Sequence, residues 1–113
     1  MIWNKNILIT ITILFLTQIV VWYQLNSQLL WKWPKENPLL LALIGFPVSY
    51  LFILSTKYGY AGFGELWPIR LLGFATGMMS FPIITWLMLG ESITLKTGIS
   101  MLLATIIMLL QLI

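Results

Sequence analysis

Four long apolar runs, separated by short polar or glycine-rich stretches, constrain this chain more than any other feature. A helix needs about 20 residues, at 1.5 Å each, to cross the hydrocarbon core of a bilayer. The runs at residues 7–25, 38–56, 66–89 and 94–113 reach that length, with ends placed to within a few residues. Only 8% of the 113 residues are charged and 60% are hydrophobic, against about 25% charged in a soluble domain. A fold this small is mostly surface, and water would meet that surface without its usual coat of charge. The expected fold is therefore all-α: a polytopic membrane protein, 1–113 as one domain, with four transmembrane helices in an antiparallel bundle. A membrane barrel would need segments of about ten alternating residues, and these runs are continuous.

The punctuation between the runs agrees. Asn26 to Asn37 holds Lys32, Pro34, Lys35 and Glu36, and Pro38 then suits the first turn of the second helix, where no N–H is needed. Lys57 to Gly64 is glycine-rich and is expected to form the second turn. Gly90-Glu91-Ser92-Ile93 forms the third, with Ser92 or Thr94 as the N-cap of the last helix. Trp3, Tyr58, Tyr60 and Trp67 are expected at the interface beside the N-terminus, and Trp31, Trp33 and Trp86 at the opposite one, because amphipathic rings favour headgroup depth. The first run follows Lys5 as a signal peptide would. It ends in Trp22-Tyr23-Gln24 without a small-residue cleavage site, so it reads as a retained helix.

Cysteine, histidine and aspartate are absent from the sequence. That excludes a disulfide framework, a thiol nucleophile and a Cys/His metal site. There are no paired carboxylates, no phosphate-binding loop and no nucleophile elbow, so an enzyme is not expected. No cofactor, no metal and no catalytic residue is assigned. The net charge of +3 comes from six scattered bases and three glutamates. Without a basic cluster it does not point to nucleic acid. The lipid bilayer is the partner it implies, in the inner or plasma membrane of a cell.

Four spans put both termini on one side. Lys5 and Lys57, with Arg70 if it reaches the interface, then face Lys32, Lys35 and Lys96. Lys/Arg asymmetry normally sets orientation, and here it is nearly balanced. Either a partner or the first helix decides orientation, or copies insert both ways.

Few residues in the runs carry hydrogen-bonding groups. At 100° per residue, Thr10, Thr17, Gln18 and Trp22 share one face of the first helix. They either line a central path or bond neighbouring helices. Gln18 is the foremost of them, because an amide at mid-membrane depth must find a partner. Gly73 and Gly77 form a small-xxx-small pair in the third helix, and Gly98 and Ala104 lie in the fourth. These small residues predict close helix packing within the bundle or between subunits. Gly77 is also a pathway candidate. Pro47 and Pro82 each remove a backbone hydrogen bond and predict kinks. Glu65 and Glu91 read as interface charges. Arg70 near the start of the third helix either snorkels or serves a function that justifies its place there.

Tyr58-Gly59-Tyr60 followed by Phe63, the run Trp86-Leu87-Met88-Leu89-Gly90-Glu91-Ser92-Ile93, and Gly98 in the last helix resemble a small four-helix member of the drug/metabolite transporter superfamily, like the small multidrug resistance proteins. Length and helix number fit that resemblance over the whole chain. It implies a transporter that works as a homodimer, with the substrate path at the subunit interface. Multidrug members carry a proton-exchanging glutamate in the middle of helix one, whereas the first helix here has no acid and Gln18 lies nearest in depth. The resemblance therefore implies a small-molecule transporter-like protein without that coupling group. The alternative is a non-transporting membrane subunit or scaffold of a larger complex.

Overall fold

A computed structural model describes residues 4–113. Trp3, assigned to an interface from sequence, lies outside them. The described residues fold into helices without a strand. Among the described residues four segments are long and apolar enough to cross a membrane: Lys5–Leu29, Pro38–Phe63, Trp67–Leu89 and Leu95–Leu112.

The first segment is α1 (Lys5–Asn26), extended by a single 3-10 turn at Ser27–Leu29. Asn4 caps it. Its Oδ1 accepts from the Ile7 N–H at 3.0 Å, and its Nδ2 donates to the Gly62 carbonyl at 3.3 Å. One side chain thus closes a helix end and ties it to another helix. Asn4→Ala is expected to lower stability by about 1 kcal/mol, read as an earlier thermal unfolding transition in detergent. An unchanged transition would show that water replaces both bonds at no cost.

The connection that follows is more ordered than its composition suggests. A five-residue helix α2 (Lys32–Glu36) leads through Asn37 into α3 (Pro38–Ala42), with Pro38 in the first turn as expected. The second span is then broken and resumes as α4 (Gly45–Phe63). The break has an identifiable cause in Pro47. Proline offers no N–H to the Leu43 carbonyl four residues earlier, and Phe46 N–H bonds that carbonyl instead at 3.1 Å. Leu43 and Ile44 make the same tightened i→i−3 bonds to Leu40 and Leu41. Gln24 of α1 supports the break by donating to the Leu41 carbonyl at 3.4 Å.

The second turn differs from the sequence expectation. Residues 57–63, read there as a glycine-rich connection, continue α4, which ends only at Gly64 with φ 76°. Gly59 and Gly62 serve packing rather than turning. The connection itself is Gly64-Glu65-Leu66. The third long helix, α5 (Trp67–Leu89), runs unbroken past Pro82 and ends at Gly90 with φ 74°. Of the two N-cap candidates for α6 (Leu95–Leu112), Thr94 takes the role, its Oγ1 accepting from the Thr97 N–H at 3.3 Å.

Helix α1 is central and packs on both α4 and α5, while α6 packs chiefly on α5. Along α1 and α4 the neighbours pair in opposite sequence order: Asn4 with Gly62, Thr10 with Gly59, Gln24 with Gly45. The interior is small, with Ile7, Leu14, Trp22, Leu72 and Ala75 its most buried apolar members. Large apolar side chains cover the outside instead, Phe46 being 86% and Leu39 81% exposed. Such an exterior fits lipid as its solvent and is compatible with a multi-pass integral membrane protein.

Candidate functional site

The close approach of three helices positions the site. The Cβ that an alanine would carry at Gly59 would lie 2.7 Å from Ile69 Cγ1 and 3.2 Å from Thr10 Cγ2. At Gly62 it would lie 2.8 Å from Ile7 Cγ1. Glycine at these positions lets α4 sit directly against α1 and the first turn of α5. Next to this contact, toward the middle of α4, the three helices flank a half-open cavity of about 500 Å³. Leu14 and Gln18 line it from α1, and Phe52, Ser55 and Thr56 from α4. Ile69, Arg70, Gly73 and Phe74 line it from α5, with Leu66 just before that helix.

Gln18 lies on the wall of this cavity. Its Nε2 donates to the Gly73 carbonyl at 3.0 Å, and its Oε1 lies 3.0 Å from where a Cβ on Gly77 would be. A second cavity of about 320 Å³ adjoins it between α1 and α5, lined by Val21, Trp22, Leu25, Met78 and Phe81. Gln18, Gly73 and Phe74 line both. Trp22 is fully packed and donates its indole N–H to Thr85 Oγ1 at 2.9 Å. The two spaces thus differ in chemistry. The first carries a guanidinium, an amide and two hydroxyls, and the second is almost wholly apolar.

Arg70 is the one charged residue among those lining either cavity. It has no acidic partner, since the ion pair among the described residues is Lys32–Glu36, 3.8 Å apart and exposed on α2. Arg70 sits three residues after Trp67, the first residue of α5. Its neighbours Pro68 and Ile69 are buried, while Arg70 itself is exposed at the open side of the cavity.

The other pathway candidates fall in different surroundings. Thr10 and Thr17 are fully buried, and their hydroxyls donate to the Asn6 and Ile13 carbonyls of their own helix at 2.8 and 2.7 Å. They fill the packing face of α1. Gly77 and Trp22 line the second cavity. Among the packing candidates, Ala104 is buried. A Cβ on Gly73 would meet Leu14 Cδ2 at an ordinary 3.9 Å, and one on Gly98 would meet nothing within 4 Å.

Sequence reading missed Ser55, Thr56, Phe52 and Phe74. Two adjacent hydroxyls in an apolar run are the signal that sequence offers for the first two; the glycines at 59 and 62 hide that α4 continues past them. Both hydroxyls donate to the Phe52 carbonyl, at 2.8 and 2.9 Å, so their protons are bonded within α4. No family model, curated protein or solved structure matches this chain.

Proposed function

We propose that this chain is a small multi-pass protein of the inner or plasma membrane that binds and moves a small molecule through the cleft between α1, α4 and α5. The observation that carries the reading is a pair of adjoining cavities that share Gln18, Gly73 and Phe74 on their walls, the wider one also lined by Arg70. Specific ligand sites are commonly apolar clefts of about 300–1,000 Å³ with a few convergent polar groups. Four helices enclose little volume, so a complete path is built by two copies. The resemblance to small drug/metabolite transporters, with its four-helix subunits, supports that assembly.

The test uses the open face of Gly73. A leucine there has room at its Cβ and extends into the space shared by both cavities. Thermal unfolding in phosphatidylcholine nanodiscs, screened with anionic, zwitterionic, neutral and cationic amphiphiles, is expected to show stabilisation of the parent by one charge class. Gly73→Leu is expected to lose it. The ligand found is then followed into proteoliposomes. If no class separates parent from variant, the cleft is not a binding site.

A second reading rests on α6. Of this helix only Ala104 and Leu112 are buried, and its outer face is apolar. That favours a non-transporting subunit docked on a larger membrane partner. Mass measurement in lipid discriminates: a homodimer supports the transporter reading, and a second, different chain in fixed stoichiometry supports the subunit reading.

A further inference from the structure

We infer that the cleft takes an amphipathic anion, its phosphate or carboxylate headgroup held at Arg70 and its apolar tail passing Gln18 toward Phe81. The inference rests on the binding role proposed for the cleft and names the chemistry of its ligand.

Three observations carry it. The first is charge. Arg70 is the one charge on the walls of the two cavities, and no acid faces it among the described residues. Arg70 is exposed three residues into α5, where its guanidinium can reach headgroup depth and is open to an anion. Its planar fork matches carboxylate and phosphate oxygens two at a time. A cationic ligand would instead meet like charge with nothing to offset it, which is discrimination by repulsion.

The second is the division of the space. The wider cavity beside Arg70 is also lined by the Gln18 amide, which keeps a second hydrogen besides the one bonded to the Gly73 carbonyl, and by Ser55 and Thr56, whose own protons go to the Phe52 carbonyl. The narrower cavity offers Val21, Leu25, Met78 and Phe81. One end suits a solvated headgroup and the other a hydrocarbon chain. The third is length. Arg70 and Phe81 are eleven residues apart on α5, or about 16 Å along its axis. A single extended alkyl chain with a compact headgroup spans that distance, whereas a compact polar solute would leave the apolar half empty.

The headgroup chemistry is shared by membrane phospholipids that enter from the side and by free single-chain anions. The probes are dodecyl phosphate and dodecyltrimethylammonium, which match in tail and differ in charge. Binding is measured on the full chain in phosphatidylcholine nanodiscs. The parent is expected to bind dodecyl phosphate at least tenfold more tightly than the cation, a comparison that needs no variant. Arg70→Gln is expected to abolish that preference, and Arg70→Lys to retain part of it, since a point charge replaces a fork.

Adding phosphatidylglycerol to the discs separates the sources. Competition with dodecyl phosphate identifies a lipid headgroup as an occupant, and its absence identifies a free amphiphile. Either result supports the inference. Equal binding of both probes, or binding of dodecyl phosphate that Arg70→Gln leaves unchanged, overturns it. A preference for the cation that Gly73→Leu removes would overturn the anion while leaving the cleft a binding site. If Gly73→Leu changes the binding of neither probe, both readings fail together.

Discussion

Replacing Gly59 with leucine is expected to abolish the folded protein. In mild detergent the variant should elute as aggregate, whereas the parent elutes as one helical species. At Gly59 even a single added carbon would stand 2.7 Å from Ile69 and 3.2 Å from Thr10, so three helices would have to part at once. Overpacking a tight site typically costs about 1–3 kcal/mol, and Gly59→Ala should already fall in that range. Leucine adds further atoms with nowhere to go, because Ile69 and Thr10 are themselves buried. Gly98→Leu is the control. An added Cβ there meets nothing within 4 Å in the single chain, so the subunit should fold as the parent does. If Gly98→Leu folds but fails to dimerise, that face belongs between copies. If Gly59→Leu elutes and melts like the parent, the close approach of α4 to α1 does not hold the subunit together.

The glycines show where the sequence was legible and where it was not. The four spans were legible because length and apolar content set them, and both are local properties. The role of Gly59 and Gly62 was not. Glycine stands equally well in a turn or at a helix contact, and a stretch with glycines at 59, 62 and 64 satisfies both descriptions. Only the partner helix decides, and Ile7 and Thr10 are far away in sequence. The same ambiguity works in reverse for Gly73 and Gly77. Their spacing announces a close contact, and within the single chain Gly73 makes an ordinary contact with Leu14 while Gly77 stands tight against the Gln18 amide. A small-xxx-small pair marks where backbone is accessible and leaves open what approaches it.

The candidate site was legible in part for a related reason. Gln18 and Arg70 stand out from sequence because each is a polar group in an apolar run. Their meeting around one cavity does not, since it depends on α1 and α5 lying side by side with Leu14 beside Gly73 and Trp22 beside Thr85. Thr10 and Thr17 stand out equally well in the sequence. Their hydroxyls are satisfied by carbonyls one turn back, as threonine in a helix readily does. A hydroxyl can find its partner within its own helix, whereas the Gln18 amide reaches across to the Gly73 carbonyl.

Gln18→Glu is expected to convert a pH-insensitive position into a proton-dependent one. In the parent, the Gln18 amide donates to the Gly73 carbonyl and carries no charge at any pH. A protonated glutamic acid can keep that bond. A carboxylate cannot, because it offers only acceptors to an acceptor. An ionised acid at the centre of a span costs about 3 kcal/mol on insertion scales, and the Arg70 guanidinium across the cavity offsets part of that. The variant should therefore unfold at a lower temperature in alkaline than in acid buffer, with no such step contributed by this position in the parent. Gln18→Leu separates charge from bonding. It removes one interhelical hydrogen bond, worth about 0.6 kcal/mol on average in membrane helices, and adds no pH dependence. The same logic applies to coupling. A cycle that exchanges a cation for protons needs a side chain that changes charge in the path, and among the described residues lining the two cavities none is a carboxylic acid. Purified parent protein should therefore release no protons when offered quaternary ammonium compounds. Proton release from the parent, lost in Glu65→Gln or Glu91→Gln, would place the exchanging group outside the cleft. It would also make this chain a closer functional match to the multidrug proteins than Gln18 allows.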